Sequence, residues 1–189
     1  MAKAVFLDRD GTIIEDRGVL RDLSEVVFLP GVFESLRRLQ EEFLLFIVTN
    51  QSGVARKEIS HEDVDRVNAH VLGELARVGI HIVEVYVCPH CREDGCACIK
   101  PQPHFLRQAE KSHGVDLAQS FTVGDHPHDV EFGAAAGATG IYVLTGHGEK
   151  HRCRLAPGAA VATDINQAVE WMLASPRPTP IARMRKDQS

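Results

Sequence analysis

An acidic pair directly follows the first apolar run of the chain. The run AVFL at residues 4–7 precedes the motif DRDGT at residues 8–12. A short apolar run of this kind is typical of a buried strand, although four residues alone are also compatible with a helix. On a strand, Asp8 and Asp10 face the same way, at the carboxyl end where open α/β sheets place their ligands. The pattern therefore predicts that both carboxylates enter one site.

Two carboxylates held close together repel each other, so such a pair usually binds a cation or shares a proton. Hard oxygen ligands suit Mg²⁺, and we expect a magnesium site here. Our hypothesis is that Asp8 attacks a phosphorus atom as nucleophile and that Asp10 handles the proton of the leaving group. The alternative is a polar turn after a strand that carries no chemistry.

Length, charge and cysteine usage limit the classes of protein. The 189 residues suit one α/β domain with a small insertion. A net charge of −5 gives no basic footprint for nucleic acid, and no apolar stretch approaches the ~20 residues of a membrane span. The first strand follows the start so closely that we expect no signal peptide. Four of the five cysteines lie between residues 88 and 98, which favours a metal site in a reducing cytoplasm over disulfides.

Apolar runs alternate with helical patterns along the chain, which is typical of a parallel α/β sheet. The patterns predict one domain over residues 1–174, without a large cap insertion, and a basic, disordered tail over residues 175–189. Ser60 with Asp63 predicts a helix N-terminus. The predicted strands are 4–7, 44–48, 82–87, 121–123 and 141–144, and the predicted helices are 31–42, 60–79, 103–112, 130–136 and 165–174.

Three more polar groups follow predicted strands. Thr49 and Asn50 end the second strand and could bind a phosphoryl oxygen, although a polar turn explains them equally well. Lys100 could neutralise a phosphoryl group, but lone lysines are usually solvated. Asp125 follows the fourth strand and could complete a Mg²⁺ site with Asp8. Asp129 either joins that site or stabilises the start of a helix through the helix dipole.

The order Asp-x-Asp, Thr-Asn, Lys-Pro and Gly-Asp-x-x-x-Asp, each after an apolar strand, resembles the haloacid dehalogenase superfamily of phosphohydrolases. The match spans roughly residues 5–145. The resemblance implies a Rossmann-like, mostly parallel sheet with helices on both faces, Mg²⁺ dependence and an aspartyl-phosphate intermediate. It implies these roles: Asp8 nucleophile, Asp10 general acid/base, Thr49 and Asn50 phosphoryl binding, Lys100 charge neutralisation, and Mg²⁺ held by Asp8, Asp125 and the Asp10 backbone carbonyl.

The cysteine cluster offers five soft or borderline metal ligands within residues 88–98, one more than tetrahedral Zn²⁺ needs. A redox Cys-x-x-Cys formed by Cys88 and Cys91 is the alternative, but the following residues indicate a loop rather than a helix. The spacing resembles the superfamily branch of heptose 1,7-bisphosphate 7-phosphatases and histidinol-phosphate phosphatases. That resemblance assigns Zn²⁺ to Cys88, His90, Cys96 and Cys98, with Cys91 left over or exchanged for one of them.

The substrate is expected to be a small phosphorylated metabolite, bound by Thr49, Asn50, Arg56 and Lys100. Residues 49–56 resemble the heptose bisphosphate phosphatases more than the histidinol enzymes. Ile99, however, stands where the heptose enzymes carry an arginine that can hold a second anionic group. Arg17, Arg56 or Lys57 could replace that arginine.

Three other interpretations of the sequence remain open at this point, two of function and one of metal binding. The second enzymatic reading is histidinol-phosphate phosphatase. A reading of another class is a non-catalytic, zinc-stabilised binding module. A second transition-metal site at His126, His128, His147 and His151 is a further alternative, although exposed histidines explain that pattern more simply. We expect a monomer.

Overall fold

The computed structural model describes residues 1–174, and within them six parallel strands form one sheet in the order β3-β2-β1-β4-β5-β6. This confirms the predicted α/β class. Ala160–Ala162 was not predicted because three residues are too short to show a strand pattern. The predicted tail lies outside the described residues. The strands are β1 Ala4–Leu7, β2 Leu44–Asn50, β3 Glu84–Cys88, β4 Phe121–Gly124, β5 Thr139–Val143 and β6 Ala160–Ala162.

Five of the six helices in the described residues agree with predicted positions, one of them with an early start, and the short helix at residues 148–151 was not predicted. In the described part of the chain they are α1 Val32–Leu39, α2 His61–Arg77, α3 His104–His113, α4 Pro127–Ala136, α5 Gly148–His151 and α6 Ile165–Ala174. Before α2, Ser60 and Asp63 form the predicted capping box, since each side chain accepts the other's backbone N–H. The helix α4 begins three residues earlier than predicted, because Pro127 takes the first helical position, where no N–H is needed.

Strand β1 separates the two halves of the core. Val5 and Leu7 pack in the cluster that includes α1, α2 and α6, whereas Ala4 and Phe6 pack in the cluster that includes α3 and α4. Successive side chains on a strand point to opposite faces, so four adjacent apolar residues require helices on both faces. Burial of each large side chain contributes about 1.5–3 kcal/mol.

The strand order places a crevice beside β1. Leu7 pairs with Ile47 of β2 and with Val123 of β4, so the sheet grows in both directions from β1. At such a switch point the loops after neighbouring strands diverge and leave a ligand site at the carboxyl edge. No separate cap domain covers this edge within residues 1–174. In the same residues, no helix is long and apolar enough to cross a membrane.

Candidate active site

The predicted polar residues meet in one cleft at the carboxyl edge of the sheet, with a volume of about 940 Å³. The strands deliver them from four different segments of the chain. The cleft is lined by all seven of the residues predicted for magnesium and substrate, namely Asp8, Asp10, Thr49, Asn50, Arg56, Lys100 and Asp125, and also by Asp129.

Lys100 is buried between two carboxylates. Its Nζ donates to Oδ1 of Asp8 at 2.7 Å, to Oδ1 of Asp129 at 2.6 Å and to the carbonyl of Val48 at 2.9 Å. Burial alone would lower the pKa of Lys100, but the charges of Asp129 and Asp8 outweigh it and raise that pKa above its usual value. Lys100 is therefore a permanent cation rather than a solvated surface lysine.

Asp8, Asp125 and Asp129 bring one carboxylate oxygen each to within 4.8 Å of one another. Burial raises the pKa of Asp8 to about 6, against the opposing effect of Lys100. Burial and the charge of Asp8 raise the pKa of Asp125 to about 8. Both shifts arise chiefly because burial removes the ionised carboxylates from water, and in the case of Asp8 the charge of Lys100 offsets this only in part. Three crowded, poorly solvated oxygen donors fit a hard divalent cation such as Mg²⁺.

Two glycines make room for Asp125. Gly11 and Gly146 both have positive φ, +79° and +54°, and a Cβ on either would overlap the Asp125 carboxylate. The N–H of His147 donates to Oδ2 of Asp125 at 2.7 Å. The Gly11 turn after the acidic pair therefore serves a close approach between loops as well as a change of chain direction.

Asp129 caps a helix, which is one of the two roles that the sequence left open for it, and it also binds Lys100. Its Oδ2 accepts the backbone N–H of His126 at 3.0 Å, which caps α4, while Oδ1 accepts from Lys100. Gly124 has an ordinary φ, and a Cβ there would overlap the Asp129 side chain. Gly124 thus allows β4 and the start of α4 to pack closely.

The Asp10 carboxylate is held away from Asp8 by a buried arginine. Arg9 donates to both carboxylate oxygens of Asp10, at 2.7–3.1 Å, and to Oδ1 of Asn68 at 2.8 Å. Gln51 donates to Oδ2 of Asp10 at 2.8 Å. Burial raises the pKa of Asp10, and Arg9 opposes that rise. The side chain of Asp10 is not part of the three-carboxylate cluster, so its expected contribution to Mg²⁺ remains its backbone carbonyl.

Sequence reasoning missed the positioning roles of Arg9, Gln51 and Asn68. Strand alternation carried a signal for Arg9, because a residue between two site-facing aspartates points the other way and must be buried. A buried arginine needs partners, which Asp10 and Asn68 supply. Nothing in the apolar stripe of α2 distinguished Asn68 beforehand.

Thr49 and Asn50 lie at the end of β2 with different surroundings. The hydroxyl of Thr49 accepts from Gln51 at 2.8 Å, which leaves its own proton free to donate. The carbonyl oxygen of Asn50 accepts the backbone N–H of Lys100 at 3.2 Å and so holds the loop that carries the lysine. Arg56 pairs with Glu58 at 2.9 Å and is half exposed.

Four cysteine and histidine ligands lie together beside the cleft. The atoms Cys88 Sγ, His90 Nδ1, Cys96 Sγ and Cys98 Sγ lie 3.2–3.8 Å apart in the five contacts that join them. Ligands of a tetrahedral Zn²⁺ with bonds of about 2.0–2.3 Å would be separated by about 3.3–3.8 Å. Cys91 points elsewhere and donates to Asp94 at 3.2 Å. The donor set therefore fits zinc without Cys91.

The rings of the four histidines that suggested another metal site pack against one another. Within the described part of the chain, their nitrogen atoms do not form a third group of possible metal ligands. Burial, followed by neighbouring positive charge, lowers the pKa of His126 and of His128 to about 4. Arg92 and Arg154 also line the cleft, and no sequence motif indicated either residue.

Known proteins are similar to this chain over most of its length. A family model described as HAD-hydrolase-like matches residues 97–168. The D-glycero-beta-D-manno-heptose-1,7-bisphosphate 7-phosphatase of Bordetella bronchiseptica is 33% identical over 175 residues, 90% of this chain and 98% of the relative. The enzyme of that name from Vibrio cholerae is 40% identical over 156 residues, 77% of this chain and 84% of the relative.

A solved structure has the same fold. The crystal structure of the D,D-heptose 1,7-bisphosphate phosphatase from B. bronchiseptica, complexed with magnesium and phosphate, superposes with a TM-score of 0.83 at 33% identity. The superposition covers 90% of this chain and 98% of that one. The similarity therefore extends over most of the chain.

Proposed function

Because this chain belongs to the phosphatases of the haloacid dehalogenase superfamily, in the branch of the heptose bisphosphate phosphatases, we propose that it hydrolyses the 7-phosphate of a D-glycero-D-manno-heptose 1,7-bisphosphate. The observation that carries this proposal is the ion pair between Lys100 and Asp8 in an open cleft of about 940 Å³. A carboxylate held by a buried cation is suited to attack an anionic phosphoryl group. A cleft of this size accommodates a small metabolite.

In the first half-reaction, the Asp8 carboxylate attacks phosphorus. A bond forms between Asp8 and phosphorus as the bond from phosphorus to the sugar oxygen breaks, and Asp10 gives its proton to that oxygen. Lys100 offsets the negative charge of Asp8 and of the phosphoryl group. The hydroxyl oxygen of Thr49 already accepts a hydrogen bond from Gln51, so its proton is free to donate to a phosphoryl oxygen.

In the second half-reaction, Asp10 acts as a base. The ionised carboxylate takes a proton from water, the water oxygen attacks phosphorus, and the bond to Asp8 breaks to release inorganic phosphate. Arg9 and Gln51 stabilise the ionised form of Asp10 that the first half-reaction leaves behind. The same two contacts fix where the carboxylate lies.

The magnesium ligands proposed for this chain are the carboxylates of Asp8 and Asp125 and the backbone carbonyl of Asp10. The raised pKa values of Asp8 and Asp125 support this assignment, since a cation would offset the crowding that causes them. When bound, Mg²⁺ supplies positive charge to the transferring phosphoryl group. Asp129 is already engaged by Lys100, which favours Asp8 and Asp125 as the carboxylate ligands.

We also propose that Cys88, His90, Cys96 and Cys98 hold a structural Zn²⁺. A closed four-ligand site leaves no position for substrate, so the metal would fold the loop that leads into Lys100. We propose a reducing cytoplasm as the compartment, because four of the five cysteines lie in residues 88–98 and three of them belong to this metal site. A monomer remains our expectation, and light scattering on the zinc-loaded protein tests it.

Phosphate release in the presence of Mg²⁺ tests the proposed function. The substrates are both anomers of heptose 1,7-bisphosphate, histidinol phosphate and a panel of sugar monophosphates. We expect the highest kcat/KM on a heptose bisphosphate and no release by Asp8→Asn. Asp65→Asn, at an exposed position of α2, is the matched control and keeps wild-type activity. Higher kcat/KM on histidinol phosphate would replace the proposed substrate.

A further inference from the structure

A continuous row of basic side chains borders the cleft, and we call it the basic arc. Nη2 of Arg92 lies 2.7 Å from Nε2 of His128, whose ring stacks on that of His126 with centroids 4.2 Å apart. The ring of His151 follows at 4.8 Å from His126, and Nη1 of Arg154 lies 3.0 Å from Nδ1 of His151. Four of these five residues line the cleft, the exception being His151.

The two arginines of the basic arc carry uncompensated charge. Within residues 1–174, neither Arg92 nor Arg154 forms an ion pair. Glu93 and Glu131 also line the cleft, but neither pairs with the arc. Guanidinium groups without a carboxylate partner in a concave site attract anions, and they suit phosphate because of their planar donor geometry.

The other candidates for anion binding are less suitable. Arg56 pairs with Glu58 at 2.9 Å, and Arg17 pairs with Glu15 at 2.6 Å. Lys57 does not line the cleft. The three residues that could replace an arginine at position 99 are therefore neutralised or lie outside the cleft. Arg92 and Arg154, in contrast, line the cleft and form no ion pair within the described residues.

We propose that Arg92 and Arg154, backed by His128 and His126, bind the second phosphate of a sugar bisphosphate, the one that is not transferred. The inference rests on the proposed function, because it identifies how this particular chain would recognise that substrate class. It also explains how a cleft with Ile99 in its lining can select a ligand that carries two phosphate groups. Charge-assisted contacts to the distal phosphate would leave the other phosphate to face Asp8.

The loop at residues 88–98, which carries the proposed zinc ligands and which we call the zinc loop, is connected to the basic arc through the chain. Arg92 begins the short 3-10 helix Arg92–Asp94, which lies between His90 and Cys96. A metal that fixes His90 and Cys96 would therefore fix the backbone that presents Arg92 to the cleft. This gives the zinc site a role in substrate selection as well as in folding the loop.

The test compares a double variant, Arg92→Gln with Arg154→Gln, against wild type and a matched control. Arg152→Gln is the control, because Arg152 is exposed, lies two residues from Arg154 and does not line the cleft. The readout is the ratio of kcat/KM for a bisphosphate to that for the matching monophosphate. Two pairs are used: heptose 1,7-bisphosphate with heptose 7-phosphate, and fructose 1,6-bisphosphate with fructose 6-phosphate.

We expect wild type and Arg152→Gln to prefer the heptose bisphosphate, and the double variant to lose at least about tenfold of that preference, mainly through KM. A double variant that keeps the preference would overturn the inference. So would a wild type that prefers neither bisphosphate, in which case its activity on monophosphates would still support a phosphatase. A wild type that prefers only the fructose bisphosphate would refute the heptose assignment. Loss of that preference in the double variant would then still support binding of the second phosphate by the basic arc.

Discussion

The ammonium nitrogen of Lys100 lies 2.7 Å from a carboxylate oxygen of Asp8, although the two residues are 92 positions apart in the chain. Lys100 also contacts Asp129 at 2.6 Å, and both Lys100 and Asp129 are almost completely buried. The lysine therefore joins the first strand end to the start of α4. This arrangement makes Lys100 the shared partner of two carboxylates, one of which is the proposed nucleophile Asp8.

Replacing Lys100 should damage stability and catalysis together. Lys100→Met leaves two buried carboxylates without a cation, and breaking a buried pair in this way typically costs about 3–5 kcal/mol. We expect a loss of that size in the free energy of unfolding, measured with denaturant, and a fall in kcat of at least about 100-fold. The exposed Lys111→Met is the matched control. An Lys100→Met protein as stable as that control would refute the role in stability.

Asn68 should affect catalysis through Arg9 without touching substrate. Asn68→Leu removes the acceptor of Arg9 Nη1, which leaves a buried donor unpaired at a cost of about 1–3 kcal/mol and loosens the hold on Asp10. We expect kcat to fall about tenfold on a sugar phosphate and less on p-nitrophenyl phosphate, whose leaving group needs little help from an acid.

Asn68→Asp supplies the control for this prediction, because it keeps an acceptor oxygen for Arg9. It should retain most of the activity that Asn68→Leu loses. Equal losses of kcat on the two substrates would indicate a general packing defect and would contradict a role in positioning Asp10.

The position of the site could be predicted from the sequence, whereas the contacts that orient its side chains could not. Asp8 and Asp125 directly follow strands, and parallel strands bring their carboxyl ends to one edge whatever the details of packing. Arg92 and Arg154 lie in two short 3-10 helices far apart in the chain. No local periodicity links two such segments, so only the folded chain places both in one cleft.

Helix boundaries show the same distinction on a smaller scale. Ser60 with Asp63 has a strong capping signature, and α2 begins where that signature predicts. His126 is a less typical cap, so the start of α4 was placed three residues late despite Pro127. That error matters for the site, because it concealed the direct hydrogen bond between Asp129 and the backbone of His126.

Metal-free protein should lose stability as the pH rises from about 6.5 to about 8. The pKa of Asp125 is about 8 in the folded state, against an ordinary value of 3.8. Between about 6.5 and 8 the folded state keeps the proton of Asp125 that the unfolded state has lost, so the free energy of unfolding decreases with increasing pH. Below about 6.5 the raised pKa of Asp8, about 6, acts in the same direction, but the pKa values of His126 and His128, lowered to about 4, act in the opposite direction and offset it. Thermal melting in a chelator should show this slope, and added Mg²⁺ should reduce it.

Asp125→Asn isolates the carboxylate that is responsible. The variant should melt at higher temperature than wild type in chelator at pH 8 and should gain less from Mg²⁺, while Asp65→Asn should behave as wild type in both respects. A wild-type melting temperature that does not change between pH 6.5 and pH 8 in chelator would contradict the raised pKa of Asp125.

Cys96 and Cys91 offer a matched pair for testing the zinc site. Cys96 Sγ lies 3.6 Å from the sulfurs of both Cys88 and Cys98, whereas Cys91 faces Asp94. We expect Cys96→Ser to lose stoichiometric zinc, measured by elemental analysis, and to melt about 10 °C lower, since several kcal/mol of binding free energy are lost and each is worth about 2–4 °C. Cys91→Ser should keep both metal and melting temperature. Zinc retained by Cys96→Ser but lost from Cys91→Ser would show that Cys91 replaces it as a ligand.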